Sequence, residues 1–331
     1  MIRFGGDNQI KSLEIGAEGL ALTKQVPFFV RELVEVAPNI KIYLNTSHES
    51  ILREDLKKNG INSDLLYFES PKTDLHCKLS YENSLILSSK EKAIFPIDPL
   101  KFEKRKLLSE DEIKTLREKY KIRKDEKVVL GGSFHEKDIL FLKDVIFETL
   151  KKDQKLKYFL VPRNQIETNS MILPFESDPS IGENRIFVIE EEGILDDLYS
   201  VCDIALLGNT FGRSYQDGQN PLEPAFYGKR ILSGCSYRDY NLEAFNGLEK
   251  SGLLKIISTK QDILEEILRT PSQRKTKTAQ ENAKKFIQSK QGSARAYATI
   301  AKKILYHDLS YEEEDFLCFR QSYQNVREKF S

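Results

Sequence analysis

The sequence predicts an α/β protein of two domains, each built around a parallel sheet. Its 331 residues suggest two domains at roughly 150 residues each. Short apolar segments alternate with helix-length amphipathic segments on both sides of a strongly charged stretch, residues 99–127. Residues 203–234 have the pattern strand, glycine-bearing loop, short helix, strand. We therefore assign 1–98 to a first domain, 99–127 to a linker, 128–305 to a second domain and 306–331 to a C-terminal helical tail.

The first domain is predicted to alternate strands with helices. A helix over 47–59 ends at Gly60, a residue that favours helix termination. A further helix is expected in the linker, beginning near Ser109. The predicted strands cover residues 12–15, 41–44, 65–68, 81–88 and 93–97.

The second domain is predicted to continue this alternation. Its predicted strands cover residues 128–132, 157–161, 186–189, 203–208 and 230–234, and its predicted helices cover 136–151, 193–201 and 222–227. The alternation indicates βαβ units and hence a parallel sheet.

The loop before the helix at 222–227 carries features of an anion site. Asn220 is a favoured N-cap, and Pro221 suits the first helical position. A helix start at the end of a parallel strand presents backbone N–H groups and the positive end of the helix dipole. Glu223 in the first turn offers a carboxylate to the hydroxyls of a ribose. The pattern indicates nucleotide binding, although an ordinary well-capped βαβ connection has the same spacing.

Several segments resemble one enzyme family in order and spacing over 128–305. The segment Asn220-Pro-Leu-Glu-Pro-Ala225 is similar to the signature of 3-deoxy-D-manno-octulosonic acid (Kdo) transferases, GT-B-fold enzymes that move Kdo from CMP-Kdo onto a lipid A precursor. The other matching segments are Val129-Leu-Gly-Gly-Ser-Phe-His-Glu136, Leu160-Val-Pro-Arg163, Gly193-Ile-Leu-Asp-Asp-Leu-Tyr199 with Cys202-Asp203, Asn241-Leu242 and Gln291-Gly-Ser-Ala294.

The resemblance implies a GT-B fold, in which two Rossmann-like domains with parallel sheets face each other across a cleft. It further implies inverting transfer of Kdo, or a related sugar acid, from a CMP-activated donor to a lipid A-like or other saccharide acceptor. The donor-binding residues that it implies are Ser133, His135, Pro162, Arg163, Gly208, Gly218, Asn220, Leu222, Glu223 and Asn241. The resemblance also implies that the first domain binds the acceptor.

The family's catalytic base is a glutamate on the loop that enters the first helix. It corresponds to Glu18 if an insertion precedes Pro27, whereas an ungapped match places Ala21 there. We expect Glu18 to accept the proton of the attacking hydroxyl, while Arg163 and helix-terminal N–H groups stabilise the departing CMP. No acidic pair follows a predicted strand, and Asp196-Asp197 lies on a predicted helix, so neither a metal nor another cofactor is expected.

The chain departs from the family pattern at three loops and in the first domain. The three loops read Asp217-Gly-Gln219, Gly208-Asn-Thr210 and Gly234-Cys-Ser236, where the family has further Gly, His, Ser or Pro residues. Only about 100 residues precede the linker, against near 200 in the family. The sugar and the acceptor therefore stay open. Two alternatives also remain: a non-catalytic sugar-nucleotide-binding protein, and a GT-B enzyme that uses a UDP-sugar.

Composition indicates a globular protein without a nucleic-acid partner. The 51 basic and 51 acidic residues balance, so no excess of positive charge favours nucleic acid. The four cysteines are scattered without a CxxC pair, which favours a reducing compartment over a structural metal. No apolar run approaches the roughly 18–20 residues that a membrane span needs. We expect a cytoplasmic protein whose membrane contact, if any, is peripheral, at the inner membrane face.

Overall fold

The fold comprises two compact units, which are described separately. The computed structural model describes residues 12–17, 24–61, 66–67, 75–80, 84–88, 92–96, 100–103, 107–163, 185–191, 193–211, 219–236 and 239–307. The described residues within 1–106 and 287–331 form the first unit, and those within 107–286 form the second.

The first unit contains a six-stranded mixed sheet of order β3-β2-β1-β4-β5-β6. Its strands are β1 (Ser12–Gly16), β2 (Lys41–Asn45), β3 (Leu66–Tyr67), β4 (Leu75–Ser80), β5 (Ser84–Ser88) and β6 (Lys92–Pro96), and its first helices are α1 (Val26–Val36) and α2 (Glu49–Lys58). Strands β1 to β4 pair in parallel, whereas β4, β5 and β6 form an antiparallel meander. The sheet is therefore only partly parallel, and β4 is a strand that the sequence pattern did not predict.

The core of the first unit lies between β1, β2 and three helices. Leu13 and Ile15 alternate along β1 and are almost completely buried. Phe29 of α1 packs edge-on against Tyr297 of the last described helix, with ring centroids 6.1 Å apart. That helix, α10 (Ser293–His307), belongs to the first unit, although the sequence led us to assign it to the second domain.

A buried carboxylate fixes the start of α10. Glu103 is 6% exposed, and its Oε1 accepts the N–H groups of Gly292 at 3.0 Å and Ala294 at 2.9 Å. Burial raises the pKa of Glu103, and the two backbone hydrogen bonds oppose that shift. These bonds satisfy N–H groups that a helix start leaves unpaired, and so they hold the returning chain in the first unit.

The second unit contains a six-stranded, fully parallel sheet. Its strands are β7 (Lys127–Phe134), β8 (Leu156–Pro162), β9 (Ile186–Val188), β10 (Ile204–Leu207), β11 (Arg230–Ser233) and β12 (Leu254–Ile256). Its helices are α3 (Glu110–Lys119), α4 (Glu136–Lys152), α5 (Leu195–Val201), α6 (Leu222–Phe226), α7 (Asp239–Ser251), α8 (Lys260–Leu268) and α9 (Gln273–Gln288). The order β12-β11-β10-β7-β8-β9 is the doubly wound order of dinucleotide-binding folds, and it reverses between β7 and β10.

The predicted linker helix begins where the sequence indicated. The Ser109 hydroxyl accepts the N–H of Glu112 at 3.3 Å, and the Glu112 carboxylate accepts the N–H of Ser109 at 2.7 Å, which forms a capping box. Leu116 of α3 is buried in the same cluster as Val128 and Leu198. Residues 107–127 are thus packed into the second unit.

Across the described stretches, no helix is both long and apolar enough to cross a bilayer.

Candidate functional site

Five of the residues implicated by the sequence follow, or end, neighbouring strands of the second sheet. Ser133 is the penultimate residue of β7, and His135 follows that strand. Pro162 ends β8 and Arg163 follows it, while Gly208 follows β10. Because these strands are adjacent and parallel, all five residues lie at one edge of the sheet. Open α/β sheets bind ligands at this edge, where the strand order reverses.

The backbones at the carboxyl ends of β7 and β10 approach each other closely. The N–H of Gly208 donates to the carbonyl of Gly132 at 2.9 Å. A Cβ at position 208 would lie 2.2 Å from the carbonyl oxygen of Ser133, so only glycine fits without a backbone shift. Ser133 and Asn209 have φ angles of 53° and 57°, a left-handed conformation that is uncommon outside glycine. Such backbone strain is concentrated at functional sites.

Asp138 joins the two loops. Its side chain is completely buried in the first turn of α4. Oδ2 accepts the N–H of His135 at 2.9 Å and that of Asn209 at 2.8 Å, and Oδ1 is 3.4 Å from the amide nitrogen of Phe211. Burial raises the pKa of Asp138 to about 6, opposed by these three backbone hydrogen bonds. One carboxylate therefore connects the end of β7 to the loop after β10.

A second connection joins the loop after β10 to β11. Thr210 is 1% exposed, and its Oγ1 donates to the carbonyl of Leu207 at 2.6 Å and accepts the N–H of Gly234 at 2.9 Å. A Cβ on Gly234 would lie 1.8 Å from the Thr210 carbonyl oxygen. The loop after β10 is thus held from both neighbouring strands.

Arg163 is held at the end of β8 by its backbone. Its N–H donates to the carbonyl of Phe134 at 2.8 Å, immediately before His135. Its side chain is exposed. An exposed guanidinium at a sheet edge can form charge-assisted, bidentate hydrogen bonds to a phosphate.

A hydrogen bond connects the residues before α6 to the end of β10. The N–H of Gln219 donates to the carbonyl of Gly208 at 3.3 Å. Asn220 Oδ1 accepts the N–H of Leu222 at 3.1 Å, so Asn220 does pair with the helix start as predicted, although the N-cap itself is Pro221. Glu223 is half-buried in the first turn. One of the N–H groups expected to face an anion is therefore already occupied by Asn220.

Three further residues were implicated by the sequence, and one of them lies within the described stretches. Asn241 is the third residue of α7, the helix that follows β11, and is 1% exposed. Glu18 and Gly218 lie outside the described residues. Within the described stretches, no group of three or more His, Cys, Asp or Glu side chains could hold a metal ion.

Sequence reasoning missed Asp138, Asn209 and Thr210. The sequence did carry a signal for Asp138. His135 directly precedes α4, and an acidic residue three positions after such a residue is the pattern of a capping box. Nothing in the pattern indicated that its carboxylate also bonds to the N–H of Asn209, 71 residues away.

Comparison with known proteins places the chain near glycosyltransferases in sequence. No protein-family model matches it. It is 29% identical over 123 residues to a bifunctional glycosyltransferase/methyltransferase of Fusobacterium nucleatum, a match that covers 33% of this chain and 18% of that protein. It is 32% identical over 133 residues to a 3-deoxy-D-manno-octulosonic acid transferase of Aquifex aeolicus, covering 38% of this chain and 36% of the relative. The chain thus spans 18% of the length of the first relative and 36% of the length of the second.

Solved structures agree on the fold. A glycosyltransferase from Rickettsia africae superposes with a TM-score of 0.54 and 13% identity, over 90% of this chain and 98% of that one. A UDP-GlcNAc 2-epimerase from Neisseria meningitidis, bound to UDP-GlcNAc, gives a TM-score of 0.50 and 13% identity, over 89% and 99% of the two chains. At these identities the likeness establishes the fold alone. The α/β fold of GT-B type is confirmed, as is the resemblance in sequence to Kdo transferases.

The buried carboxyl group of Asp138 should make the stability of the folded state depend on pH. Since burial raises the pKa of Asp138 from 3.8 to about 6, the folded state binds this proton more tightly than the unfolded chain. The stability contributed by the protonated carboxyl is therefore full below pH 3.8 and is lost as pH rises through about 6. We expect the free energy of unfolding of the wild type, relative to Asp138→Asn, to fall by about 3 kcal/mol across this window.

Urea unfolding at several pH values measures this difference. The matched control is Asp144→Asn on the same helix, whose exposed carboxylate pairs with Lys260 at 2.7 Å and whose pKa is lowered by that hydrogen bond. The difference in the free energy of unfolding between this variant and the wild type should change little with pH in the same window. A constant difference for Asp138→Asn would contradict the buried, proton-holding role of that carboxyl.

Proposed function

We propose that the chain is a Kdo transferase-like glycosyltransferase whose second unit binds a CMP-activated sugar acid at the carboxyl edge between β7 and β10. The observation that carries the proposal is the junction of the two strand ends, where Ser133, His135 and Gly208 meet at the reversal of strand order. Sequence similarity to a Kdo transferase, over about a third of this chain, supports the choice of donor.

The charge arrangement supports a donor with one phosphate in its leaving group. Arg163, exposed beside the start of α4, is the cation at this edge that the resemblance implicates. Together with the positive end of a 17-residue helix, it complements a single phosphate better than a diphosphate. Glu223 would accept hydrogen bonds from the ribose hydroxyls, and Asn220 would hold the start of α6 in place. Stabilisation of the departing phosphate by such fixed groups contributes strongly to catalysis.

The first unit would supply the acceptor side and the general base. Glu18 is two residues beyond the end of β1, at the carboxyl end of that strand along the chain. It would accept the proton of the acceptor hydroxyl as that oxygen bonds to the anomeric carbon. Because the oxygen attacks the face opposite the departing CMP, the configuration of the anomeric carbon is inverted. The acceptor would be a lipid A-like or other saccharide, and contact with the inner membrane face would be peripheral.

Nucleotide preference tests the donor class. Because a bound ligand stabilises the folded state by mass action, CMP should raise the melting temperature more than UMP, UDP or GDP at equal concentration. A thermal-shift series measures this. A larger shift with UDP would favour the UDP-sugar alternative, and no shift with any nucleotide would reject the donor site.

Replacing the proposed ribose ligand should weaken donor binding. We expect Glu223→Ala to reduce the free energy of CMP binding by about 1–3 kcal/mol, because a hydrogen bond to a charged group is lost. Calorimetry on the folded variant measures it. The control is Glu249→Ala, which removes an exposed carboxylate from α7 and should leave affinity unchanged. Equal affinities for both variants would show that Glu223 is not a donor ligand.

Replacing the proposed base should separate turnover from binding. Glu18→Gln keeps the size of the side chain but removes its basicity, so transfer should fall by about 10²-fold or more. CMP affinity should stay at the wild-type value, since the donor contacts belong to the second unit. Wild-type turnover in this variant would favour the ungapped match to Ala21. Absence of turnover in the wild type, with CMP bound, would identify a non-catalytic binder.

A further inference from the structure

Asp138 makes contacts that exceed those of an ordinary helix cap. In α3, Glu112 occupies the equivalent helix position, and its carboxylate accepts hydrogen bonds from the N–H and the hydroxyl of Ser109 in its own turn. Asp138 makes the same bond to the N–H of His135, but its Oδ2 also accepts the N–H of Asn209 from the loop after the neighbouring strand. The comparison separates two roles: the first bond caps the helix, and the second joins two strand ends.

A single oxygen atom sets the separation of the two loops. Oδ2 is 2.9 Å from the amide nitrogen of His135 and 2.8 Å from that of Asn209, so these nitrogens cannot move apart without breaking a bond. Oδ1 lies toward the amide nitrogen of Phe211, two residues further along the same loop. The side chain is 0% exposed, so solvent cannot take over these bonds without opening the packing.

The loops that Asp138 joins carry the proposed donor contacts. Ser133 lies near the end of β7 and His135 directly after it, whereas Gly208 directly follows β10. Both Ser133 and Asn209 have left-handed backbones. A left-handed non-glycine residue persists only where its surroundings impose that conformation. The bond from the Asn209 N–H to Asp138 is one such constraint.

We propose that Asp138 is a positioning residue of the donor site: by bridging the backbones of His135 and Asn209, it sets the spacing at which the two loops receive the donor phosphate. This inference rests on the proposed function. It assigns the control of donor affinity to a buried residue that does not itself contact the ligand.

The test compares two buried polar residues of one helix. Asp138→Ala removes both carboxylate oxygens, so the N–H groups of His135, Asn209 and Phe211 all lose their acceptor. Asp138→Asn would be a weaker test, because its remaining amide oxygen can still accept both bridging hydrogen bonds. The control is Thr149→Val at the other end of α4, which removes a hydroxyl that is also 0% exposed and lies 2.6 Å from the Tyr158 hydroxyl. Urea unfolding gives the stability of each variant, and calorimetry gives its Kd for CMP well below both melting temperatures.

Both variants should lose stability, but only Asp138→Ala should bind CMP about tenfold more weakly or worse, because small displacements of positioned groups have large effects. Wild-type affinity in Asp138→Ala, or an equal loss in both variants, would overturn the positioning role. If Asp138→Ala does not fold, Asp138→Glu retains a capping carboxylate at the helix position that Glu112 has in α3, but displaces its oxygens by one methylene. Its CMP affinity should fall similarly, and an unchanged affinity would overturn the inference. Failure of the wild type to bind any nucleotide would instead reject the proposed function.

Discussion

The close approach of the backbones at the carboxyl ends of β7 and β10 is the constraint on which the second unit depends. Parallel strands that lie side by side send their connections in opposite directions at this point, so their loops leave a crevice. In this chain the pairing of β10 with β7 continues one residue past Leu207, where the Gly208 N–H donates to the carbonyl of Gly132 at 2.9 Å. A side chain at position 208 would collide with the backbone of Ser133. The site is therefore built from backbone geometry, and its side chains are placed by that geometry.

Two buried polar side chains maintain the approach from opposite sides. Asp138 bonds to the loop after β10 from the β7 side, and Thr210 bonds to Gly234 on the β11 side. Burial of the Asp138 carboxylate costs free energy, as its raised pKa shows, and three backbone hydrogen bonds offset part of that cost. A helix can be capped without burying a carboxylate, as Ser109 and Glu112 cap α3 at the surface. The free-energy cost of burying Asp138 is therefore consistent with a role beyond stability.

The sequence predicted most of what depends on local patterns. Five of the six parallel strands of the second unit and the helix start at Ser109 follow from apolar runs and capping residues, and the structure agrees to within one or two residues. The short strand β12 was not predicted. Long-range pairings were not predictable in this way. The strand β4 mixes polar residues into its run, the bond between Asp138 and Asn209 spans 71 positions, and α10 returns to the first unit through Glu103, which precedes Ala294 by 191 positions. The positions of Ser133, His135 and Arg163 at one sheet edge were accessible only because strand ends in a parallel sheet coincide.

Hydrogen exchange with and without CMP tests the central claim most directly, because it locates the bound nucleotide on the backbone. The account predicts slower exchange on binding for peptides that cover residues 131–138, 207–211 and 219–225, which form the junction and the start of α6. It predicts no change in α9 (Gln273–Gln288), which carries none of the proposed donor contacts. Protection that omits the first two segments while CMP is demonstrably bound would contradict the assignment of the donor site to the ends of β7 and β10.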